Sequence, residues 1–184
     1  MKRILVAFAS REGQTEKIAR HIAQRVEDQG LATCVINLKA GDSEADVSSC
    51  DAVIIAGSVH RGRPDQELSG FLMRHGPTLR GGPSAFICVS LSAASHDPHD
   101  RAAIDELAQS FLYEVGWHPD EVRHVAGAVR DSQLNLLERY TVHAVMYQKS
   151  IPSDPSGETE LTDWAAVDNF AKEFAARLLP SGAA

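Results

Sequence analysis

A short loop near the amino terminus carries residue types that bind phosphate. It follows an apolar run, precedes a helical pattern and consists of Ser10, Arg11, Glu12, Gly13, Gln14 and Thr15. Free backbone N–H groups at a helix N-terminus carry partial positive charge, and hydroxyl groups complete the hydrogen bonding to an anion. The loop therefore suits a terminal phosphomonoester. The alternative is that Ser10 or Thr15 only caps the helix.

Two common nucleotide-binding loops are excluded by the composition of this segment. The pattern G-x-x-x-x-G-K-S/T does not occur, and the dinucleotide fingerprint needs three glycines where this loop has one. The loop thus favours neither ATP nor NAD.

Two further loops combine small residues with polar side chains. One consists of Ser58, Val59, His60, Arg61 and Gly62, and the other of Ser90, Leu91, Ser92 and Ala93. Glycine lets a backbone approach a flat ligand closely, and the polar side chains can reach the edge of its ring. A phosphate site beside a site for a flat ring is what FMN requires.

Strands and helices alternate along the chain and would position these loops. Apolar runs predict strands over 3–9, 33–38, 52–58, 84–90 and 122–129, and helical periodicity predicts helices over 14–29, 65–80, 99–115 and 163–179. Almost wholly apolar strands indicate a sheet covered on both faces. The pattern predicts a doubly wound, parallel α/β sheet of order 2-1-3-4-5, in which the ends of the first, third and fourth strands are neighbours.

The segment 130–162 separates the fifth strand from the last helix. A short loop would suffice there, so about thirty residues form an insertion. Its first half repeats apolar residues at helical spacing, which predicts an amphipathic helix. Its second half, IPSDPSGETE, is rich in turn residues and is predicted to be irregular.

The composition fits one domain over residues 1–184 and excludes several classes of partner. Cys34, Cys50 and Cys88 show neither zinc-site nor disulfide spacing, which favours the reducing cytoplasm. The net charge of −7 argues against nucleic acid. No apolar stretch approaches the roughly 20 residues that cross a bilayer, so any contact with the inner face of the cell membrane would be peripheral. Assembly into a homo-oligomer is left open.

A second polar cluster, His96, Asp97 and His99, has residue types that bind metals. Pro98 and the surrounding turn formers instead favour a helix start with Asp97 as its cap. We therefore predict no metal site.

Several blocks together resemble the flavodoxin-like family, and more closely the flavodoxin-type protoporphyrinogen oxidases. They are S-R-E-G-Q-T, A-G-S-V-H-R-G, G-P-S-A-F-I-C-V-S-L, A-G-A-V-R and, after the insertion, S-G-E-T-E-L-T-D-W. The resemblance implies a three-layer sandwich in which residues 10–15 hold the FMN phosphate while 58–62 and 90–93 line the isoalloxazine ring. It also implies that the insertion serves substrate and quinone.

The insertion differs from that subgroup in its charge. The subgroup's insertion is basic and aromatic. Here the insertion contains three basic residues, Arg130, Arg139 and Lys149, and five acidic ones, Asp131, Glu138, Asp154, Glu158 and Glu160. This leaves the protoporphyrinogen specificity open. Arg130, at the start of the insertion, either meets an acidic substrate or forms a salt bridge with Asp131 or Glu138.

The leading hypothesis is an FMN-dependent oxidoreductase that accepts hydride from protoporphyrinogen IX and passes electrons to a quinone, in heme biosynthesis. No catalytic side chain is required, because the cofactor carries the chemistry. Neither ring loop contains Trp, Tyr or Phe, which leaves a flavin face open to substrate. His60 and Arg61 either stabilise the charge of the reduced ring or lie solvated.

Two alternatives stay open. The first is a flavodoxin-like electron carrier or partner-binding module without a substrate of its own. The second is a fold that holds no flavin because Arg11 and Glu12 crowd the phosphate site.

Overall fold

A computed structural model describes residues 1–40, 47–60, 63–130, 136–148, 151, 154 and 157–180. The main sheet contains β1 Arg3–Ala9, β2 Ala32–Asn37, β3 Ala52–His60, β4 Arg63–Pro64, β5 Ser84–Ser90 and β6 Glu121–Ala126. The order is β2-β1-β3-β5-β6 with every pair parallel, and the short β4 pairs antiparallel with β3. The predicted five-stranded order 2-1-3-4-5 is confirmed.

Helices cover both faces of the sheet, as the continuous apolar strands require. They are α1 Gln14–Glu27, α2 Gln66–His75, α3 Pro98–Glu114, α4 Leu136–Gln148 and α5 Trp164–Ala176. Alternate strand residues point to opposite faces: Ile4, Val6 and Phe8 pack with α1 and α5, whereas Leu5 and Ala7 pack with α2 and α3. The result is the predicted three-layer sandwich.

Two of the predicted elements are interrupted in the structure. The predicted helix over 65–80 ends at His75, and a separate turn of helix, Thr78–Arg80, follows it. Pro77 explains the break, because proline lacks the N–H that a continuing helix would need at that position. The predicted fifth strand over 122–129 is divided at Gly127, where the chain leaves the main sheet.

The insertion begins and ends in a small sheet of its own. After Gly127, the strand β7 Ala128–Arg130 pairs antiparallel with β8 Glu158–Glu160. The prediction of irregular structure is therefore wrong for residues 158–160, whereas α4 confirms the predicted helix. Val129, Met146 and Ile151 form a separate buried cluster, the insertion core, against which Leu91, Ala94, Val142 and Leu161 pack.

Among the described residues, no helix is long and apolar enough to span a bilayer.

Gly57, near the carboxyl end of β3, leaves room for α2 to pack on the sheet. A Cβ atom at this position would lie 2.3 Å from Cδ2 of Leu68, a fully buried side chain of α2. Phe86 on β5 lies 3.7 Å from the same point. The absent side chain thus determines how closely α2 approaches the strand that leads into the second loop.

We expect Gly57→Ala to destabilise the protein by about 1–3 kcal/mol, because Leu68 must leave its packed position. Urea unfolding measures this change. Gly70→Ala is the matched control: its Cβ would meet only the Arg74 side chain, at 3.4 Å, within α2. The control should stabilise by about 0.5–1 kcal/mol, because alanine favours helix. Equal stability of the two variants would contradict the packing role of Gly57.

Candidate functional site

The loop between β1 and α1 exposes the N-terminus of the helix. Gly13 is the N-cap residue, with a left-handed φ of 87°, and no side chain caps the helix. Ser10 Oγ instead accepts a hydrogen bond from Gly13 N at 3.0 Å, which leaves the hydroxyl hydrogen free to donate. The alternative in which Ser10 or Thr15 serves as the cap is therefore wrong. The first-turn N–H groups face the carboxyl edge of the sheet, where an anion can bind.

Arg11 is held to one side of this loop by a buried carboxylate. Its Nε lies 2.6 Å from Oδ1 of Asp65, whose side chain is 0% exposed, and Lys39 Nζ lies 3.6 Å from the same oxygen. The hydrogen bond and charge of Asp65 raise the pKa of Arg11 above its ordinary value. Within the part of the chain that the structure describes, Asp65 Oδ2 has no hydrogen-bond partner.

The sequence does not single out Asp65 as part of this site. An acidic residue directly before a helix predicts an N-cap, and Asp65 does occupy that position of α2. Its side chain nevertheless makes no capping hydrogen bond. The carboxylate instead faces Arg11, which lies 54 positions earlier in the chain.

Gln14 connects the first loop, residues 10–15, to the end of the insertion. Its side-chain amide donates from Nε2 to Thr162 Oγ1 at 2.9 Å, and Thr162 Oγ1 donates to the carbonyl of Ala126 at 2.7 Å. The Oε1 atom of Gln14 is buried and has no partner among the described residues. Thr162 was not predicted, because only the folded chain brings it to the first loop.

The second loop begins later than the sequence predicts. β3 continues through Val59 and His60, which pair by their backbones with β4. Arg61 and Gly62 lie outside the described residues. Ser58 is buried, and its Oγ has no partner in the described part of the chain.

The third loop is a compact turn. Ser90 Oγ accepts from Ala93 N at 3.2 Å, and residues Ser92–Ala94 form one turn of helix. Leu91 packs partly against the insertion core. The insertion therefore lies directly against the loop predicted to line the ring.

The parallel register brings the three loops to one edge of the sheet. Ala9, which precedes Ser10, pairs with Gly57, and Ser58 pairs with Val89. Ser90 in turn pairs with Ala126 on β6. The serines at positions 10, 58 and 90 thus follow one another across the carboxyl ends of β1, β3 and β5. The structure confirms that the predicted loops are neighbours.

Lys17 on α1 fixes the end of the insertion from the other side. Its Nζ lies 2.6 Å from a carboxylate oxygen of Glu160 and 5.0 Å from the centre of the Trp164 ring. The indole N–H of Trp164 also donates to Glu160. These donors, Lys17 first, lower the pKa of Glu160 below its ordinary value. The carboxyl-terminal end of the insertion is therefore anchored on α1, the helix that follows the first loop.

Other candidate residues lie apart from this edge or have structural partners. The backbone of Arg130 pairs with Glu158 as part of β7, and its side chain lies outside the described part of the structure. Asp97 caps α3 by accepting from His99 N at 2.9 Å, as predicted. Cys88 lies within β5, and burial raises the pKa of its thiol to about 12, so it is protonated and not nucleophilic at neutral pH.

Comparisons with known proteins agree with this architecture. The family described as flavodoxin domain matches residues 5–156. The chain is 31% identical over 172 residues, 93% of each sequence, to the Escherichia coli K12 protein named protoporphyrinogen IX dehydrogenase (quinone).

Two solved structures show the same fold. Flavodoxin 1 from Bacillus cereus superposes with a TM-score of 0.60 at 18% identity, over 97% of this chain and 100% of that one. A mutant flavodoxin from Fusobacterium nucleatum, solved with flavin mononucleotide bound, gives 0.52 at 13% identity, over 97% and 95%. The chain therefore belongs to the flavodoxin-domain family, in the branch that includes the proteins named protoporphyrinogen IX dehydrogenase (quinone).

Proposed function

We propose that this protein is an FMN-dependent oxidoreductase that oxidises protoporphyrinogen IX and passes the electrons to a quinone. The name of the Escherichia coli relative supports the substrate and the acceptor, and the flavin in the Fusobacterium nucleatum structure supports the cofactor. The observation that carries the proposal lies in the described part of the chain. There the N-terminus of α1 beside Ser10 has no side-chain cap, and the buried hydroxyl of Ser58 on the neighbouring strand has no partner.

The phosphate would be held by residues 10–15. Backbone N–H groups at the start of α1 and the hydroxyl of Ser10 are available donors, and Gly13 provides the left-handed turn between them. The bond of Arg11 to Asp65 uses Nε, so the terminal nitrogens of the guanidinium can contact the phosphate. Arg11 is thereby drawn beside the loop, which opposes the alternative that it blocks the phosphate.

The ring would lie against the second and third loops, residues 58–62 and 90–93. Bound FMN supplies hydride acceptance and two-electron storage. The protein contributes the rigid turn at Ser90 and the buried donor at Ser58. We infer that His60 and Arg61 stabilise the negative charge of the reduced ring.

We infer further that the protein works in the cytoplasm and meets the quinone at the membrane surface. Quinones with apolar tails partition into bilayers, so the acceptor is reached by peripheral contact. Tyr147 on α4 is 88% exposed, and tyrosine is a common residue at membrane interfaces.

The decisive assay follows the flavin absorption of FMN-loaded protein under anaerobic conditions. Protoporphyrinogen IX should bleach the bands, and a soluble quinone should restore them. Bleaching by a partner reductase alone, with no response to porphyrinogen, would instead identify an electron carrier. A colourless protein that takes up no FMN would contradict both functions.

Removing two hydroxyls from the first loop should weaken FMN binding. We expect Ser10→Ala with Thr15→Ala to raise the Kd at least about tenfold, because a hydrogen bond to a charged group contributes about 1.5–3 kcal/mol. Titration of flavin fluorescence measures the Kd. Ser69→Ala is the control, because the Ser69 hydroxyl donates to a backbone carbonyl at the start of α2. Unchanged affinity in the double variant would contradict the assigned phosphate site.

Neutralising Asp65 should weaken binding of FMN more than binding of riboflavin. In Asp65→Asn, Arg11 loses its charged partner and its fixed position beside the phosphate, so we expect a loss of about tenfold for FMN. Riboflavin has no phosphate and should bind nearly unchanged. Asp51→Asn is the control, because Asp51 pairs with Lys2, next to the amino end of β1. An equal loss for both flavins would show that Asp65 does not act through the phosphate.

A further inference from the structure

A large cavity lies beside the main sheet, between the edge strand β6, helix α5 and the turn Ser92–Ala94. Its volume is about 660 Å³, within the range of small-molecule sites. Of the residues that line it, only Ala93 also belongs to the proposed flavin site, and none comes from residues 10–15. We call it the β6–α5 cavity. It is a separate space that shares one wall with the third loop.

The floor of the β6–α5 cavity is apolar. Ile87, Val125 and Phe170 line it, and they also pack in the core between the sheet and α5. Ala94 and Leu161, which pack against the insertion core, form part of the wall. The cavity therefore offers an apolar surface between the core of the sheet and the base of the insertion.

Most charged and polar side chains around the cavity already have a partner within the chain. Arg123 pairs with Glu121 and lies 3.7 Å from Glu173, and His124 Nε2 lies 2.6 Å from Asp105. The carboxylate of Asp163 accepts from Ala166 N at the start of α5. These groups are therefore engaged in contacts within the chain.

Arg101 and His96 differ from these groups in their polar contacts. The one hydrogen bond described for the Arg101 guanidinium runs from Nε to the carbonyl of Ser95 at 3.4 Å. In the described ranges, no carboxylate lies within ion-pair distance of Arg101 or of the exposed ring of His96. Both residues line the same end of the cavity, next to Ala93. That end therefore holds a cation with no ion-pair partner among the described residues, together with a ring N–H donor.

The segment that carries these two side chains is held rigidly. Ser95 is buried, its hydroxyl donates to Asp100 at 2.6 Å, and it accepts from Asp97 N at 3.2 Å. The carboxylate of Asp97 caps α3. The neighbouring acidic groups are thus engaged with the backbone and with Ser95, and Arg101 and His96 are displayed from a fixed turn.

We propose that the β6–α5 cavity binds the carboxylate-bearing side of the tetrapyrrole substrate, with Arg101 as the principal anchor. This inference rests on the proposed function. The guanidinium donates two N–H groups to one carboxylate in a bidentate pair, and His96 adds a further donor. The apolar substituents of the ring then lie on the cavity floor beside Phe170. The insertion, with five acidic and three basic residues, offers a dicarboxylate no comparable attraction.

The test compares protoporphyrin IX, which carries the same carboxylates as the substrate, with its dimethyl ester. Both are titrated into FMN-loaded protein by porphyrin fluorescence. Arg101→Ala should weaken binding of the acid about tenfold and leave the ester unchanged, and Arg101→Lys should recover part of the loss because it keeps the charge. Arg74→Ala, at an exposed position on α2 that does not line the cavity, is the matched control. The FMN Kd should not change in any variant.

The outcomes separate the inference from the function on which it rests. Selective loss of the acid, with a raised KM and unchanged kcat for porphyrinogen oxidation, supports the cavity as the anchor. The inference is overturned if the acid binds Arg101→Ala as tightly as it binds the wild type. It is also overturned if the wild type binds the acid and the ester equally well. Either outcome leaves the proposed oxidoreductase activity intact. Failure of the FMN-loaded wild type both to bind the acid and to oxidise porphyrinogen overturns both.

Discussion

The parallel register of the five central strands is the constraint on which the candidate site depends. Parallel strands need helical crossovers, so every strand enters from the same side and leaves at the same edge. The pairs Ala9 with Gly57, Ser58 with Val89 and Ser90 with Ala126 place three chain exits side by side. Residues that are tens of positions apart in sequence thereby become neighbours.

Local patterning predicts those parts of the fold that local interactions specify. The strands over 3–9 and 84–90 agree to the residue, because apolar runs there end at polar residues. β8 was missed because Glu158–Glu160 is short and polar, and its strand conformation depends on pairing with β7. The contact of Asp65 with Arg11 likewise requires the topology that joins α2 to the first loop. Sequence reasoning identifies the loops, and tertiary contacts decide which side chains serve them.

The insertion is integrated into the domain at three points. Its two ends pair as β7 and β8, its exit is bonded to Lys17 through Glu160, and its buried cluster packs on Leu91 and Ala94. A segment attached in this way contributes to the wall of the site and to its apolar surroundings. The absence of aromatic residues from the second and third loops is consistent with this division, since the insertion can cover a bound ligand where a tryptophan would otherwise stack.

Gln14 makes the first loop and the insertion thermodynamically interdependent. One amide group belongs to the start of α1 and, through Thr162, to the carbonyl end of β6. Any ligand that favours this position of Gln14 also favours the docked position of residue 162. Linkage is reciprocal, so a partner that holds the insertion in place raises the affinity of the first loop by the same factor. Occupancy of the first loop is thus coupled to the docking of the insertion without a change of fold.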